Sequence, residues 1–298
     1  MPELACAVLS LGDERGLIDA VRSLLDQSAP VEVVVVNSGG GDPAARLAAA
    51  QLDVRAVSVD GRLYPGAVRN IGIELTQAPF VAFLAADCIA TPGWAVGRLR
   101  EHRAGAVAVA SSPGNAYPES KSASASMLLL HNRLLAVNAP AQRLLYGLSY
   151  DRELFARYGR FREDLRAGED TEFNARLGSE VIVAADDVRT AHRYPTEPSA
   201  MLRDAYRRGR LQAAMLGKIT DSRPQSLRVA SRGPRNVLRS LWCIGRMQPS
   251  ERARLLRAWP LVVIGGVVYA AGALSASWRP YDGSDALTLR RTSQNADE

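Results

Sequence analysis

Residues 66–88 read "GAVRNIGIELTQAPFVAFLAADC", and the pattern changes within this stretch. The first half, 66–77, looks helical, whereas 80–85 is a short, continuously apolar run. A run of that length and composition is typical of a strand buried on both faces of a sheet. The run ends beside Asp87, a single carboxylate where a metal-binding strand usually supplies two acids. The stretch therefore predicts a helix, a buried strand and one polar group at the strand's end.

The same alternation of helix and strand continues on both sides. A helix is predicted at 15–27, and further strands are predicted at 5–11, 31–38, 54–59, 104–112 and 180–187. This alternation indicates an α/β fold whose mostly parallel sheet is covered by helices. Ligands bind such sheets beyond the carboxyl ends of the strands. The strand ends of interest are therefore 11–14, 37–42 and 85–88.

Length and cysteine content narrow the class further. A chain of 298 residues can form one main domain and an appendage, which we expect at 1–200 and 201–298. The cysteines are three and lie far apart, which argues against a disulfide framework and against a cysteine-based zinc site. The N-terminus lacks a basic region followed by a long apolar core, so we expect no secretory signal and a cytoplasmic protein.

The positive charge is concentrated in the C-terminal part. Residues 203–257 contain fourteen Lys or Arg and three Asp or Glu, a balance of +11 in a chain whose total is +6. Residues 258–278 then contain no charged residue and have a tryptophan near each end. This order predicts a basic helical extension with a segment that associates with a membrane, or else a buried core helix. The last dozen residues are expected to be disordered.

Three short motifs carry chemistry, and each also has an ordinary structural interpretation. The glycines of "NSGGGD", 37–42, lack the spacing of the known phosphate-binding loops. Glu169 and Asp170 follow Gly168 at the start of a helix, where carboxylates are favoured anyway. His192 is one of three histidines, and a lone histidine is more often structural than a ligand.

The order of these motifs resembles that of the family 2 glycosyltransferases, which have the GT-A fold. The similar segments run from about Leu4 to His192, and the specific ones are 66–94 and 146–177. The resemblance implies an inverting enzyme that moves a sugar from a nucleoside-diphosphate sugar to an acceptor hydroxyl. It also implies a GT-A sheet flanked by helices.

The resemblance assigns a donor-binding role to seven positions and a metal-binding role to two. Nucleotide-sugar contacts fall on Asp13, Glu14, Asn37, Gly66, Arg69, Asn70 and Ala85. Asn37 replaces the family's usual acid, and Ala85 replaces the first acid of its Asp-x-Asp motif. The second acid of that motif is Asp87, which with His192 is expected to hold Mn²⁺ or Mg²⁺. One or two carboxylates are enough for such an ion when substrate phosphates complete its shell.

The resemblance also names the acid–base group. Asp170 takes the position of the general base, and Glu169 would orient the acceptor or the base. The basic extension suggests that the enzyme lies at the inner face of a membrane, with an anionic lipid surface as partner and a lipid-linked acceptor. Envelope or exopolysaccharide synthesis would fit this location.

Three other functions are compatible with parts of the sequence. A nucleotide-sugar-binding protein without catalysis would explain Ala85 and Asn37. A nucleotidyltransferase of related shape is disfavoured because "SLGDERG", 10–16, is acidic where such enzymes carry a basic glycine-rich loop. A nucleic-acid-binding protein is disfavoured because the basic region offers only Tyr206 and Trp242 for stacking, so we expect no nucleic-acid partner.

Overall fold

The computed structural model describes residues 1–12, 15–135, 137–138, 145–219 and 225–277, and of residues 215 and 217–219 only the backbone. Within these residues, eight strands form one sheet: β1 (Leu4–Leu11), β2 (Val31–Ser38), β3 (Arg55–Val59), β4 (Phe80–Ala85), β5 (Cys88–Ala90), β6 (Ala108–Asn115), β7 (Ser149–Asp151) and β8 (Ile182–His192). The disordered tail expected at the C-terminus lies outside the described residues.

The strand order is β3-β2-β1-β4-β7-β6-β8-β5. The first four strands in this order are parallel neighbours, and β6 is also parallel to β8. Strand β7 pairs antiparallel with both β4 and β6, and β5 pairs antiparallel with β8. The α/β class is therefore confirmed, with a mixed sheet whose N-terminal half is parallel.

In the described part of the chain, seven helices precede or flank these strands: α1 (Leu17–Leu25), α2 (Pro43–Ala49), α3 (Pro65–Leu75), α4 (Trp94–Arg103), α5 (Lys121–His131), α6 (Glu153–Arg157) and α7 (Glu169–Leu177). Five more follow the sheet: α8 (Pro198–Ile219), α9 (Ser226–Ala230), α10 (Arg232–Arg246), α11 (Pro249–Leu256) and α12 (Trp259–Ser275). The expected helical C-terminal region is therefore present.

The central strand β1 explains why the sheet needs helices on both faces. Its residues from Leu4 to Val8 are fully buried, and alternate side chains point to opposite faces. Cys6 and Val8 join a cluster that contains α1 and Trp94, whereas Ala7 joins a second cluster with Phe83. Burial on both faces accounts for the continuously apolar sequence of this strand and its neighbours.

The chain divides into two compact units. The first comprises Met1–Ala116 and Ala139–Arg193 and contains the whole sheet. The second comprises Tyr117–Asn138 and Tyr194–Glu298, so α5 groups with the C-terminal helices. The division expected at residue 200 did not include this exchange of α5, and as a statement about domains it stays a prediction.

Within the second unit, α12 packs along α8 at very short separation. Gly209 of α8 lies against the backbone of Tyr269, and Gly272 of α12 lies against the backbone of Tyr206. Side chains at either glycine would collide with the opposite helix. No single helix among the described residues is long and apolar enough to cross a membrane, although α11 and α12 together, bent by 57°, pass that test by length and composition.

Candidate active site

Strand pairing in the first unit brings Asp87 and His192 together. Asp87 lies in the turn after β4, and the next residue, Cys88, opens β5. In the antiparallel pair of β5 and β8, Cys88 is opposite His192. The backbone N–H of Arg193 donates to the carbonyl of Asp87 at 2.9 Å, which fixes the turn. Two residues that lie 105 positions apart in the sequence thus share one end of the sheet.

The side chains of this pair form a compact set of ligand atoms. His192 Nε2 lies 3.5 Å from Asp87 Oδ2. One ligand atom each of Asp87, Cys88 and His192 lies within 4.8 Å of the other two. The Asp87 side chain is 46% exposed and that of His192 is 17% exposed, so the set is open on one side. An oxygen, a nitrogen and a sulfur donor at these distances fit a divalent cation that keeps positions for substrate oxygens.

Cys88 is the member of this cluster that the sequence analysis did not propose. Its thiol lies 3.6 Å from Asp87 Oδ1 and 3.7 Å from the hydroxyl of Tyr146, and the residue is buried. The sequence signal that could have identified Cys88 as a ligand is its position directly after Asp87. Without knowledge of the β5–β8 register, however, nothing in the sequence aligns this thiol with His192.

Asn37, at the carboxyl end of β2, is fully buried and only partly satisfied. Its Nδ2 donates to the carbonyl of Gly40 at 2.7 Å. Its Oδ1 is buried and accepts no hydrogen bond from the residues that the structure describes. A buried acceptor of this kind is costly unless a ligand or water donates to it. Asp13 and Glu14, expected beside the same strand end, lie outside the described residues.

Arg69 has a protein partner where the resemblance assigns it to the nucleotide. Its guanidinium forms an ion pair with Glu169, the first residue of α7. The same guanidinium lies 5.5 Å from the ring centroid of Phe83 and 5.4 Å from that of Phe161. Both side chains of the pair are largely buried, at 18% and 6% exposure. Arg69 therefore ties α3 to the start of α7.

Asn70 and Gly66 hold the loop that leads toward α7. The Nδ2 of Asn70 donates to the carbonyl of Phe161 at 3.0 Å and to Glu163 Oε1 at 2.8 Å, and its Oδ1 accepts from the N–H of Phe161 at 3.1 Å. Gly66 lies directly against the carbonyl of Arg162, where a Cβ would collide. Both positions assigned to the nucleotide thus make close contacts within the first unit.

Asp170 is the second residue of α7 and is half-buried. Gly168 precedes α7 with φ +84°, a backbone conformation that favours glycine, and it lets the chain turn sharply into the helix. Asp170 Oδ1 accepts from the N–H of Thr171 at 2.7 Å. Burial raises the pKa of Tyr150 above its usual range, and the charge of Asp170 acts in the same direction.

Ala85, at the end of β4, is exposed and offers no polar side-chain atom. It is opposite Leu9 of β1 in the parallel register, at the carboxyl end of β4 and two residues before Asp87. Any contact of this position with a sugar would be apolar or through the backbone.

Comparison with known proteins gives the site its context. Residues 9–144 match the model of the family described as "Glycosyl transferase family 2". No curated protein sequence matches the chain. The matched region includes Asn37, Arg69 and Asp87, and it ends before Asp170 and His192.

Solved structures are similar in fold at low sequence identity. A fragment of S. aureus TarS, residues 1-349, in complex with UDP-GlcNAc has a TM-score of 0.50 and 16% identity over 93% of this chain and 91% of that chain. Longer S. aureus TarS has a TM-score of 0.49 and 17% identity over 93% of this chain, which spans 55% of that protein. Glucosyl-3-phosphoglycerate synthase from Mycobacterium tuberculosis, in complex with Mn²⁺, UDP-glucose and phosphoglyceric acid, has a TM-score of 0.45 and 21% identity over 65% of this chain and 72% of that chain.

The likeness to the TarS fragment, at a TM-score of 0.50, shows the fold alone, and the family match adds the chemistry in general terms. The expected GT-A architecture is confirmed, and glycosyl transfer is the general activity that the match supports. The resemblance of this chain to the family 2 glycosyltransferases is therefore confirmed, with residues 9–144 carrying the family's pattern.

Proposed function

We propose that this protein is a metal-dependent, inverting glycosyltransferase that uses a nucleoside-diphosphate sugar and an acceptor hydroxyl. The observation that carries the proposal is the meeting of Asp87 and His192 across the β5–β8 register, 3.5 Å apart at an open sheet end. The carboxylate and the imidazole come from residues 105 positions apart, and strand pairing places them side by side, where they could bind one metal ion.

The metal would be held by Asp87 and His192, with Cys88 close enough to join them. When bound, a divalent cation supplies Lewis-acid stabilisation of the charge that develops on the leaving diphosphate. Imidazole as a ligand shifts preference modestly from Mg²⁺ toward Mn²⁺. The 46% exposure of Asp87 leaves room for two phosphate oxygens beside the protein ligands.

Asn37 supports recognition of the donor's base. Its buried Oδ1 would accept a hydrogen bond from a ring N–H, which uracil and guanine present and cytosine does not. The TarS fragment was solved with a uridine nucleotide sugar, and its fold covers 93% of this chain. We therefore propose a uridine-diphosphate sugar as the donor.

Asp170 would act as the general base. Its carboxylate would accept the proton of the acceptor hydroxyl while that oxygen attacks the anomeric carbon and the nucleoside diphosphate leaves from the opposite face. A well-placed base contributes on the order of a hundredfold or more. The ion pair of Arg69 with Glu169 supports this role because it holds the first turn of α7, where Asp170 lies.

The location proposed for this activity is the cytoplasmic face of a membrane, in the synthesis of an envelope or exported glycan. The support is the balance of +11 in 203–257 and the charge-free sequence 258–278. A lipid-linked hydroxyl acceptor would be delivered to such an enzyme at the membrane surface.

One alternative is favoured by a specific observation. Ala85 gives the sheet end no first acid, and a protein that binds nucleotide sugars without transferring them would tolerate that loss. Binding of UDP-sugars without any hydrolysis or transfer would establish this alternative.

The decisive experiment is a thermal-shift screen of nucleoside diphosphates and their sugars, with and without Mn²⁺. Ligand at a hundred times its Kd stabilises a fold by about 2.7 kcal/mol, so binding is easily seen. We expect stabilisation by UDP that increases with Mn²⁺, loss of the increment in Asp87→Asn, and an unchanged response in Asp53→Asn, an exposed aspartate in the same unit.

Asp170→Asn should keep donor binding and lose turnover by about a hundredfold or more. Equal turnover in this variant and the wild type would refute the assignment.

A further inference from the structure

Exposed apolar side chains are concentrated in the second unit. Of the fifteen exposed large hydrophobic residues in the described part of the chain, nine lie between Leu227 and Leu274. Soluble monomers rarely gather such side chains into one extended patch, and larger patches mark sites of interaction with proteins or membranes. The arrangement on α10 and α12 indicates which of these applies.

Helix α10 carries large apolar side chains on its solvent-exposed side. Its outward side carries Leu238, Leu241 and Trp242, which are 68%, 46% and 39% exposed. Its inward side, with Ser240 and Cys243, is buried within the same unit. The apolar side chains on the outward side are therefore not needed for the core of this unit.

Helix α12 repeats the arrangement without any charge. Val263, Ile264, Val267 and Leu274 are exposed at 39%, 47%, 65% and 42%, and their spacing places them along one side of the helix. The opposite side is buried against α8, where Gly272 meets Tyr206. The outward side of α12 is thus a second apolar stripe.

The two helices run in opposite directions. Gly233 of α10 lies against Gly266 and Ala270 of α12, whereas Val237, one turn further along α10, lies against Gly266. Contacts therefore move toward the start of α12 as α10 proceeds. This is the pattern of an antiparallel pair.

The exposed sides of this pair face the same way. On each helix, the residue that follows a contact glycine is exposed: Pro234 after Gly233, and Val267 after Gly266. Successive residues turn by about 100° in the same sense around every α-helix. In an antiparallel pair, an equal turn from the contact line places both exposed sides on one common side. Here that side is called the apolar face, and it consists of Leu238, Leu241, Trp242, Val263, Ile264, Val267 and Leu274.

Arginines accompany the apolar face. Residues 225–277 contain eight arginines and one acid, Glu251. Arg235 and Arg246 are exposed on α10, and the guanidinium of Arg246 lies 3.8 Å from the ring centroid of Trp242. A tryptophan with an arginine over its ring is suited to the boundary between lipid headgroups and acyl chains, where one end is apolar and the other meets phosphate.

We propose that the apolar face docks on an anionic phospholipid bilayer, with its leucine, valine and tryptophan side chains inserted at the headgroup boundary and the arginines on lipid phosphates. This inference rests on the location given in the proposed function and is independent of the donor chemistry. It replaces attachment by the sequence segment 258–278 alone with attachment by a folded face made of two helices.

The distribution of charge favours an anionic bilayer over a second copy of the chain or a nucleic acid as the partner of the apolar face. A second copy packed on the same face would bring the exposed Arg235 and Arg246 against their own copies, since α10 contains no acid. A nucleic acid would satisfy the arginines and leave the valines and leucines against phosphate. An anionic bilayer satisfies both, because insertion buries apolar surface while headgroup charge attracts arginine.

The test is sedimentation of the full chain with phosphatidylcholine vesicles, with and without about one third phosphatidylglycerol, a composition typical of anionic leaflets. We expect binding to the anionic vesicles that weakens in high salt. Leu238→Glu with Val267→Glu should weaken it at least about tenfold, given what two buried apolar side chains contribute. Arg235→Gln and Arg246→Gln should each weaken it about fivefold at low salt.

The matched control is Val96→Glu with Val181→Glu, two exposed valines of the first unit. It should bind vesicles as the wild type does. All positions changed are exposed, and retention of the wild-type melting temperature and UDP response shows that each variant is folded.

Vesicle binding that is unaffected by Leu238→Glu with Val267→Glu, or that does not need phosphatidylglycerol, overturns the proposal. So does a dimer that these substitutions dissociate, because the face would then bind a second copy. A wild type that docks on vesicles and binds no nucleotide would refute the proposed function alone.

Discussion

Replacing Glu169 by glutamine tests how the start of α7 is held. The substitution keeps the shape of the side chain and removes its charge, so Arg69 would stay buried without a carboxylate partner. The two side chains are 18% and 6% exposed, and the guanidinium lies 5.5 Å and 5.4 Å from the ring centroids of Phe83 and Phe161. Breaking a buried ion pair by removing one partner costs about 3–5 kcal/mol. Because Arg69 keeps some solvent and both rings, we expect about 2–3 kcal/mol.

The same helix provides a control with the same chemistry. Glu172 also lies in the first turn of α7, and it pairs with Arg176 at 3.0 Å. The side chains of that pair are 31% and 30% exposed, and exposed pairs of this spacing contribute about 0.3–0.5 kcal/mol. Glu172→Gln should therefore cost several times less than Glu169→Gln, although both remove one negative charge from the same helix terminus.

Urea denaturation of the two variants at neutral pH measures the difference. Thermal melting should show a decrease of roughly 4–12 °C for Glu169→Gln and of about 1–2 °C for Glu172→Gln. Because Asp170 lies on the same turn, Glu169→Gln should also lower kcat more than it changes the Kd of the donor. Equal destabilisation by the two substitutions would show that the Arg69 pair does not hold α7. If Glu169→Gln lowers the affinity for the donor and leaves kcat normal, the result would support the alternative that Arg69 binds the nucleotide.

Three further substitutions test other parts of the first unit. Burial lowers the pKa of His102 to about 4, so protonation favours the unfolded chain, where the pKa is about 6.5; stability should fall by about 3 kcal/mol as pH decreases from 6.5 to 4. His102→Gln should remove that part of the decrease in urea denaturation, and an unchanged pH profile would contradict it. Cys88→Ser should weaken stabilisation by Zn²⁺ in thermal melts more than stabilisation by Mn²⁺, since sulfur is the softer ligand; equal weakening would exclude the thiol from the metal. Asn37→Asp should destabilise the fold by about 1–3 kcal/mol because a carboxylate cannot donate to the carbonyl of Gly40. Undiminished stability on calorimetry would show that this hydrogen bond is dispensable.

The parallel half of the sheet could be predicted because burial imposes a local pattern. Strands such as 31–38 are buried on both faces, and their continuous runs of valine show it. The strands at one edge of the sheet, β5 and β8, show no such pattern in the sequence. Strand β5 has only three residues, and β8 continues through Asp186 and Asp187 to His192 as one strand of eleven, where the sequence had indicated a strand at 180–187. The polar residues at the exposed edge obscured both its length and its pairing.

The site was predictable to the extent that residue type determines chemistry. Asp87 and His192 were proposed as ligands of one metal, and the structure places them side by side; the metal itself stays a prediction. Asn70 shows where residue type is insufficient. Its amide could serve a ribose or a backbone equally well, and only the position of the loop at 161–163 shows which groups it binds in this structure.

The same reasoning explains why Arg69 carries more information than its sequence motif. An arginine near a diphosphate site can neutralise the ligand directly, or it can neutralise a neighbouring acid and thereby place another acid. The rings of Phe83 and Phe161, which both lie beside the guanidinium of Arg69, favour the second role because they limit where the guanidinium can move. Glu169 then has little negative charge to offer to an incoming hydroxyl, since its carboxylate is engaged and 6% exposed. Asp170, the next residue, is half-buried, and its Oδ1 accepts from the N–H of Thr171. The roles proposed for these two adjacent acids therefore both depend on the ion pair of Arg69 with Glu169.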